Sequence, residues 1–495
     1  MKTIYENAEE VLVWLGPSYE DSHLAFQFMQ EMHDHRDDVE WIARRFEQPE
    51  LRPSVVAFRL LISREYWWRM WIVQELTVAK TISLRCGTDS ISAVALDETQ
   101  KLLGAMTNRK MGFQDDHLFK LLTDDSLIRW GVLFRGLRDV RTFQQALAPA
   151  PGSQGLSFFQ CLLHNATREA SDPRDMVYGL AALANSTSKY QINIDYSLSV
   201  ADIYIDLATK EILHCKTLEI LTGARSGSRL VGLPSWVPDW SRHLEGHIPL
   251  YDITTPQYSF SASGKITCDV SVSDVGDALF LKGVVIGTVE IIGERPGMAD
   301  RHDLDNAGRV FLKWWDSLGA SGDRGNQMQE QFGRTLICDM PTDQELGSWN
   351  RDEFCRLIVG RFVAFCYEIL PSEDIDSELV STHSWLMRKE GHNGAHFDER
   401  ERRIESMLWI QHSTNLIWDR RFFLGSSNIM GLAPNDVQEG DIICVPLGCP
   451  QPMIFRKVDG HYTVIGEAYV DGYMRGKAVE MLERGELELE TFELH

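Results

Sequence analysis

One segment decides the fold of the first part of the chain: Arg64-Glu65-Tyr66-Trp67-Trp68-Arg69-Met70-Trp71-Ile72-Val73-Gln74-Glu75-Leu76. Read as a single helix, the segment is apolar almost all round, and a helix of that kind is normally buried. We therefore expect Trp67, Trp71 and Val73 to lie in a core. We also expect Arg69 to pair with an acidic side chain, because burying an unpaired guanidinium is very costly.

Two interpretations of this segment remain open. In the first, it is a core helix whose tryptophans fill space and whose arginine forms an internal ion pair. In the second, Arg69 and Glu75 are exposed to a pocket and form a binding or catalytic site. The residues alone do not separate the two.

The bulk composition excludes several classes of protein. At 495 residues the chain is too long for one core, and two or three domains are expected. The 49 basic and 72 acidic side chains give a net charge of -23, which disfavours nucleic acid and anionic membranes as partners. The sequence contains no apolar run of the ~18 residues needed for a transmembrane helix, and it opens without the apolar core of a signal peptide.

The cysteines and histidines predict a reduced, intracellular protein without a metal site. The nine cysteines are scattered and form no C-x-x-C pair, which is typical of reduced core residues, so we expect a cytoplasmic location. Two compact histidine groups, at 33–35 and 392–396, lack cysteines at zinc spacing and are expected to be solvated. No phosphate-binding, dinucleotide-binding, nucleophile-elbow or zinc-protease motif is present, and we predict no cofactor.

The pattern along the chain predicts a mixed α/β (α+β) protein with an α/β N-terminal region, a helical middle and a β-rich C-terminal domain. A buried strand is expected at 11–15, strands at 278–292, and helices at 20–35, 305–319 and 355–370. The last 80 residues contain three apolar runs with a hairpin turn at Asp459-Gly460, so 420–475 should form a compact β unit. The predicted regions are 1–95, 96–250, 251–405 (with a charged linker at 371–405) and 406–495.

Two aspartate-rich segments could be catalytic or structural. Asp172, Arg174 and Asp175 could form a reactive cluster, but Asp172 suits a helix N-cap, Pro173 the first helical position and Asp175 the first turn. Capping is therefore the favoured interpretation. The proline-rich segment 233–241 should be a rigid extended stretch with Trp236 anchored, in which Asp239 is a turn or salt-bridge carboxylate rather than an acid catalyst.

Several short segments, in order and at matching spacing, resemble the fungal heterokaryon-incompatibility (HET) domain family. The two strongest are Trp67-Trp68-Arg69 to Glu75 and Asp172-Pro173-Arg174-Asp175-Met176-Val177-Tyr178-Gly179-Leu180. The others are Ile4-Tyr5 to Ala8, Val13-Trp14-Leu15-Gly16, Asp195-Tyr196-Ser197, Leu233 to Ser241, Gly440-Asp441 to Pro452, and Gly466-Glu467-Ala468-Tyr469-Val470. The domain itself looks confined to about residues 1–80, and the two strands with which family members usually begin are not in this sequence.

The resemblance implies a partial HET domain with a TIR-like α/β fold, and a role in allorecognition that triggers cell death when incompatible fungal cells fuse. Because some TIR domains cleave NAD, it also implies Glu75 as a candidate catalytic carboxylate, and Arg69 and Gln74 as candidate binding residues. Three hypotheses follow: a signalling module that contacts other proteins or itself, a TIR-like NAD-cleaving enzyme, and an inert remnant. We favour the first, because a nucleotide cleft at strand ends loses a wall when neighbouring strands are missing.

Overall fold

The computed structural model describes residues 2–107, 156–184, 190–227, 229–242, 250, 260–296, 304–319, 326–340, 351–370, 409, 416–417 and 419–495. The chain divides into two compact units, Met1–Ser197 and Leu198–His495. Helices and strands are mixed in the first unit and the end of the chain is rich in strands, so the predicted α+β class is confirmed. The four-region division stays a prediction, and the linker at 371–405 lies outside the described residues.

The first unit packs helices around a small sheet. Its elements are α1 (Lys2–Asn7), β1 (Val11–Trp14), α2 (Ser22–Asp34), α3 (Val39–Phe46), α4 (Arg52–Ile62), α5 (Ile72–Thr77), β2 (Ile82–Cys86), β3 (Asp89–Ser92), α6 (Ala93–Thr107), α7 (Phe158–His164) and α8 (Asp175–Ala184). The order in the sheet is β1-β2-β3, with β1 parallel and β3 antiparallel to β2. Phe28 on α2 lies at the centre of the core, where its ring contacts those of Phe46 and Phe58 edge-on.

Strand β1, expected as a buried strand over 11–15, forms one edge of this sheet and is buried on one face only. Among the described residues it pairs with β2 alone. Val11 and Val13 point into the core, while Leu12 and Trp14 are each 54% exposed on the other face. Period-two alternation of this kind places apolar side chains on both faces of an edge strand, where they can pair with another chain.

The prediction of one continuous helix over 64–76 was wrong. Glu65–Trp68 forms a short 3-10 helix, Arg69 is extended with φ -69° and ψ 132°, and α5 begins only at Ile72. The cause is competition for backbone groups: Glu169 donates its N–H to the carbonyl of Trp68 at 2.6 Å, and its own carbonyl accepts from Met70 at 2.8 Å. These bonds to a distant segment replace the helical ladder at its midpoint.

The break also changes where the side chains of this segment lie. Trp67 and Val73 are buried, as predicted, whereas Trp71 is only partly buried. The expected ion pair of Arg69 was wrong: its side chain is exposed and, within the described residues, forms no ion pair with an acidic group. The extended backbone turns Arg69 to solvent. Its guanidinium is therefore not buried, and it needs no acidic partner to offset the free energy of burial.

The second unit combines a β-barrel with a group of helices. Its elements are α9 (Val200–Cys215), β4 (Val270–Val272), β5 (Leu279–Ile292), α10 (Leu304–Gly319), α11 (Asn326–Leu336), α12 (Arg351–Ile369), β6 (Arg420–Gly425), β7 (Ile429–Pro434), β8 (Ile442–Pro446), β9 (Met453–Val458), β10 (His461–Glu467), β11 (Tyr469–Val470), α13 (Lys477–Glu483) and β12 (Leu489–Leu494). The long strand β5 pairs with both β12 and β8, which closes the ring β5-β12-β10-β9-β8.

The predicted β unit at 420–475 is confirmed, and it is completed by strands outside that range. Asp459 (φ 48°) and Gly460 (φ 96°) form the predicted turn, so that His461 faces Val458 in register. The end of β5 pairs with β6 and so extends the sheet beyond the closed ring. Sequence periodicity identified the strands but could not show that β5 closes the ring, because that pairing joins residues over 150 positions apart.

Tryptophan and phenylalanine rings hold the helices of the second unit together. Trp409 contacts Phe311, Phe362 and Phe365, with ring centroids 4.6–5.6 Å apart. Such edge-on and tilted contacts contribute beyond the burial of apolar area. None of the helices in the described residues combines the length and apolar character that crossing a bilayer requires.

Candidate functional site

The structure brings the two strongest sequence segments together in the first unit. Trp71 donates its indole N–H to Asp175 Oδ2 at 3.1 Å, and Gln74 Nε2 donates to the carbonyl of Gly179 at 2.6 Å. The helices pack closely at this point: a Cβ on Gly179 would lie 2.6 Å from Met70 Cγ, so only glycine fits. The tryptophan segment and the Asp-Pro-Arg-Asp segment are therefore two sides of one contact.

Asp175 is the centre of this contact. Its second oxygen accepts the hydroxyl proton of Tyr196 at 2.6 Å, so one carboxylate joins Trp71 to Tyr196. The guanidinium of Arg174 lies 5.1 Å from the centre of the Tyr196 ring and also donates to its backbone carbonyl. Burial, followed by the hydrogen bond to Asp175, raises the pKa of Tyr196 to about 12. The phenol therefore stays protonated and acts as a donor at neutral pH.

Asp172 caps the chain entering α8, as predicted. Its Oδ1 accepts from the backbone N–H of Arg174 at 3.0 Å, and its carboxylate pairs with the Arg174 side chain at 2.7 Å. That side-chain bond, together with the backbone bond, lowers the pKa of Asp172. Residues 172–174 form a turn, so the regular helix begins at Asp175, two residues later than predicted. Both aspartates thus have structural roles in this geometry.

A second polar group surrounds Glu75. Tyr66 donates its hydroxyl to Glu75 Oε2 at 3.0 Å, and Tyr5 on α1 also bonds to this carboxylate. Burial, followed by Glu75, raises the pKa of both phenols, and the charge of the exposed Arg69 partly opposes the shift. The arrangement is a partly buried carboxylate held by two phenols beside an exposed cation.

Gln74 occupies a different environment from Arg69 and Glu75. It is 2% exposed, its amide nitrogen is engaged by Gly179, and its Oε1 has no hydrogen-bond partner within the described residues. Its geometry suits a role in holding α5 against α8. The sequence therefore grouped three neighbours that the structure divides between surface and core.

Trp14 and Gly16 lie at the exposed end of β1. Gly16 has φ 96°, and the loop that it opens is held by Arg64, whose guanidinium donates to the carbonyls of Leu15 and Pro17. The sequence analysis missed Arg64, because a lone arginine before an aromatic run carries no signal of such a role.

Trp236 and Asp239 belong to the second unit. Trp236 is fully buried, and Asp239 accepts from the backbone N–H groups of Leu230 at 2.9 Å and Ser241 at 3.0 Å. The predicted turn carboxylate is therefore present, and the segment 233–241 contains no helix. Arg229 fixes the same stretch by donating to the carbonyls of Pro234 and Val237.

Comparisons with known proteins agree with these segments. Residues 1–75 match the family model described as heterokaryon incompatibility protein (HET), and residues 373–489 match that of the Het-6 beta-barrel domain. Heterokaryon incompatibility protein 6, OR allele, of Neurospora crassa is 23% identical over 563 aligned positions, covering 98% of this chain and 79% of the relative. No solved structure gives a match. The resemblance inferred from the sequence is confirmed, and the HET match spans only part of the N-terminal unit.

Proposed function

We propose that this chain, which carries HET and Het-6 barrel segments, is a heterokaryon-incompatibility-type signalling protein that acts through protein–protein contacts. Its similarity over nearly the whole length to a heterokaryon incompatibility protein supports this role. The role would be allorecognition coupled to regulated cell death in the cytoplasm. Four buried cysteines of the second unit, Cys338, Cys366, Cys444 and Cys449, are free thiols, in keeping with a reducing compartment.

The observation that carries the proposal is the exposed face of β1. Leu12 and Trp14 are large, apolar and each 54% exposed, and within the described residues the strand has a neighbour on one side only. The strand contains no charge and no proline, the two features that commonly block pairing between edge strands. We propose that the occupant of this edge is the equivalent strand of a second copy, so that association starts the signal.

The experiment compares Trp14→Asp with the wild-type chain. We expect the wild type to form a concentration-dependent dimer by light scattering and to cause growth arrest when expressed in a fungal host. Trp14→Asp should abolish both while its melting temperature stays within a few degrees of the wild type, because the side chain is exposed.

Val39→Asp is the matched control, because Val39 is also an exposed apolar residue of the first unit (49%) but lies on α3. It should retain both properties. A monomeric wild type, or a Trp14→Asp variant that still arrests growth, would refute the proposal.

The exposed position of Arg69 beside Glu75 favours one alternative, NAD cleavage by a TIR-like mechanism. A cation that opposes the pKa shifts of Tyr5 and Tyr66 is placed to contact an anionic ligand near this carboxylate. The alternative is ranked second, because two phenols already engage Glu75.

A further inference from the structure

Three arginines surround one aspartate at a rim of the barrel in the second unit. Arg295 follows the end of β5, Arg421 lies on β6, Arg242 follows the segment anchored by tryptophans, and Asp436 follows β7. Arg242 is exposed, Arg295 is 54% exposed and Arg421 is partly buried. A cluster of three arginines is unusual in a chain whose net charge is -23.

Arg295, Ser226 and Arg242 lie around the carboxylate of Asp436, and Arg421 bonds to the carbonyl of Gly293, two residues before Arg295. Arg295 Nη2 lies 3.0 Å from Asp436 Oδ1, and Ser226 Oγ lies 3.0 Å from Asp436 Oδ2. A Cβ on Gly227 would lie 3.4 Å from both Arg242 Nη1 and Asp436 Oδ2. The glycine therefore leaves open space between this guanidinium and this carboxylate.

The neighbouring carboxylates do not compensate these arginines. Asp441 is engaged by Arg456 at 2.8 Å, and Glu294 by Lys313 at 2.7 Å. Within the described residues, three guanidinium groups face the single carboxylate of Asp436, which leaves an excess of positive charge at this rim. Partial burial and the nearby Arg295 lower the pKa of Arg421, which reflects the repulsion between these cations.

Several guanidinium donors at this rim have no hydrogen-bond acceptor among the residues that the structure describes. Arg421 bonds through Nε to the carbonyl of Gly293 at 2.8 Å, and its two terminal nitrogens bond to no described residue. Arg242 makes one long contact, 3.5 Å to the carbonyl of Ser226. Guanidinium groups with free terminal nitrogens form paired hydrogen bonds to planar or tetrahedral oxyanions.

We propose that Arg242, Arg295 and Arg421 bind a dianionic phosphoryl group, supplied as free phosphate or as a small phosphate monoester. The charge decides between oxyanions, because a phosphate monoester carries about -1.5 to -2 at pH 7 and matches the local excess, whereas a carboxylate carries half of that. The two terminal nitrogens of Arg421 would donate paired hydrogen bonds to the phosphoryl oxygens. Arg242 would contact the same group from the side of Gly227. The contact holds a ligand; it implies no reaction.

The test is calorimetric titration of the full chain with inorganic phosphate, a nucleoside 5′-monophosphate and phosphoserine, with acetate at matched ionic strength for comparison. We expect phosphate-containing probes to bind and acetate not to bind. The tightest probe identifies whether free phosphate or a monoester is the source. Arg421→Gln should weaken binding by about tenfold or more, the loss of one charge-assisted contact.

Arg242→Gln provides an independent variant should Arg421→Gln fail to fold, since its side chain is exposed and makes only the long contact; the same weakening is expected. Arg484→Gln is the matched control, because Arg484 is an exposed arginine of the same unit paired with Glu486. It should bind phosphate as the wild type does. Acetate binding as tightly as phosphate, equal weakening by Arg484→Gln, or no binding by any probe would overturn the proposal.

Discussion

Trp71 donates its indole N–H to the carboxylate of Asp175 at 3.1 Å, across 104 residues of sequence. The bond joins the two segments by which the sequence most resembles the HET family, and each segment alone looks like an ordinary helix end. Tyr196 binds the other oxygen of the same carboxylate, so a third segment of the resemblance meets at this point. Three separate segments of the resemblance, those of Trp71, Asp175 and Tyr196, therefore meet at one contact in the folded chain.

Removing that bond should destabilise the first unit. Trp71→Phe keeps most of the ring area but leaves one oxygen of Asp175 without its donor, so we expect a loss of about 1–2 kcal/mol in the free energy of unfolding by urea. Trp14→Phe is the control, because this exposed indole makes no hydrogen bond within the described residues; it should change stability by less than about 0.5 kcal/mol. In a double-mutant cycle Trp71→Phe and Asp175→Asn should couple; additivity would contradict the contact.

Asp172 stabilises the start of α8 in two ways, through a hydrogen bond to the backbone N–H of Arg174 and through an ion pair with its side chain. Asp172→Ala should cost about 1 kcal/mol, because the N–H of Arg174 loses its acceptor at the helix entrance. Asp172→Asn keeps an acceptor and loses only the ion pair with Arg174, so its cost should be clearly smaller. Equal losses in the two variants, measured by urea unfolding, would assign the effect to the ion pair instead.

The same aspartate predicts how stability depends on acid. Because its pKa is lowered in the folded chain, Asp172 contributes stability that is present above its ordinary pKa and is lost as pH falls through the lowered value. Asp172→Asn should therefore flatten the decline in stability of the first unit below about pH 4. Superimposable pH profiles of the wild type and the variant would exclude this contribution.

The phenol of Tyr196 should lose its proton at a higher pH than an ordinary tyrosine does. With a pKa of about 12, against roughly 10 for an ordinary tyrosine, it stays mostly protonated at pH 11 in the folded chain. Tyr196→Phe should thus leave the tyrosinate absorbance at pH 11 almost unchanged. In urea, where all phenols titrate normally, the same variant should lose the signal of one tyrosine; an equal loss under both conditions would show that Tyr196 is unperturbed. Stability contributed by this group is present below pH ~10 and lost as pH rises towards 12.

The sequence predicted those parts of the fold that depend on local pattern. The strand at β1, the turn at Asp459-Gly460 and the cap at Asp172 each follow from neighbouring residues, and all three are present, although β1 is buried on one face only. The break at Arg69 could not be predicted in this way, because it depends on backbone bonds to Glu169, a hundred residues away. The position of Tyr5 beside Glu75 likewise could not be predicted, because it depends on how α1 packs against a segment about 70 residues away.

The buried pair in the barrel should be the most sensitive point of the second unit. Arg420 donates to Glu467 at 2.8 Å, both side chains are 1% exposed, and Glu467 also accepts from the backbone N–H of Leu250. Removing one partner leaves a buried charge, so Arg420→Met should cost about 3–5 kcal/mol, and replacing both residues with apolar ones should cost less than the sum of the single changes. Arg484→Gln, which breaks an exposed pair, should cost less than about 1 kcal/mol. Urea unfolding followed by tryptophan fluorescence measures all of these variants.

The last prediction concerns NAD. We expect the purified chain to release little or no nicotinamide from NAD, because a catalytic carboxylate must be free to meet its substrate and Glu75 is held by the hydroxyls of Tyr66 and Tyr5. Displacing a catalytic group by about 1 Å can cost ~100-fold in rate, and two phenols must leave before this carboxylate can act. Tyr66→Phe with Tyr5→Phe frees Glu75 and is the sharpest variant: nicotinamide release by this variant alone would show that the phenols suppress a catalytic carboxylate, and continued inactivity would show that Glu75 is structural. Robust turnover by the wild type that disappears on Glu75→Ala, but persists in the exposed control Glu65→Ala, would overturn this ranking. The enzyme hypothesis would then replace association through β1 as the proposed function.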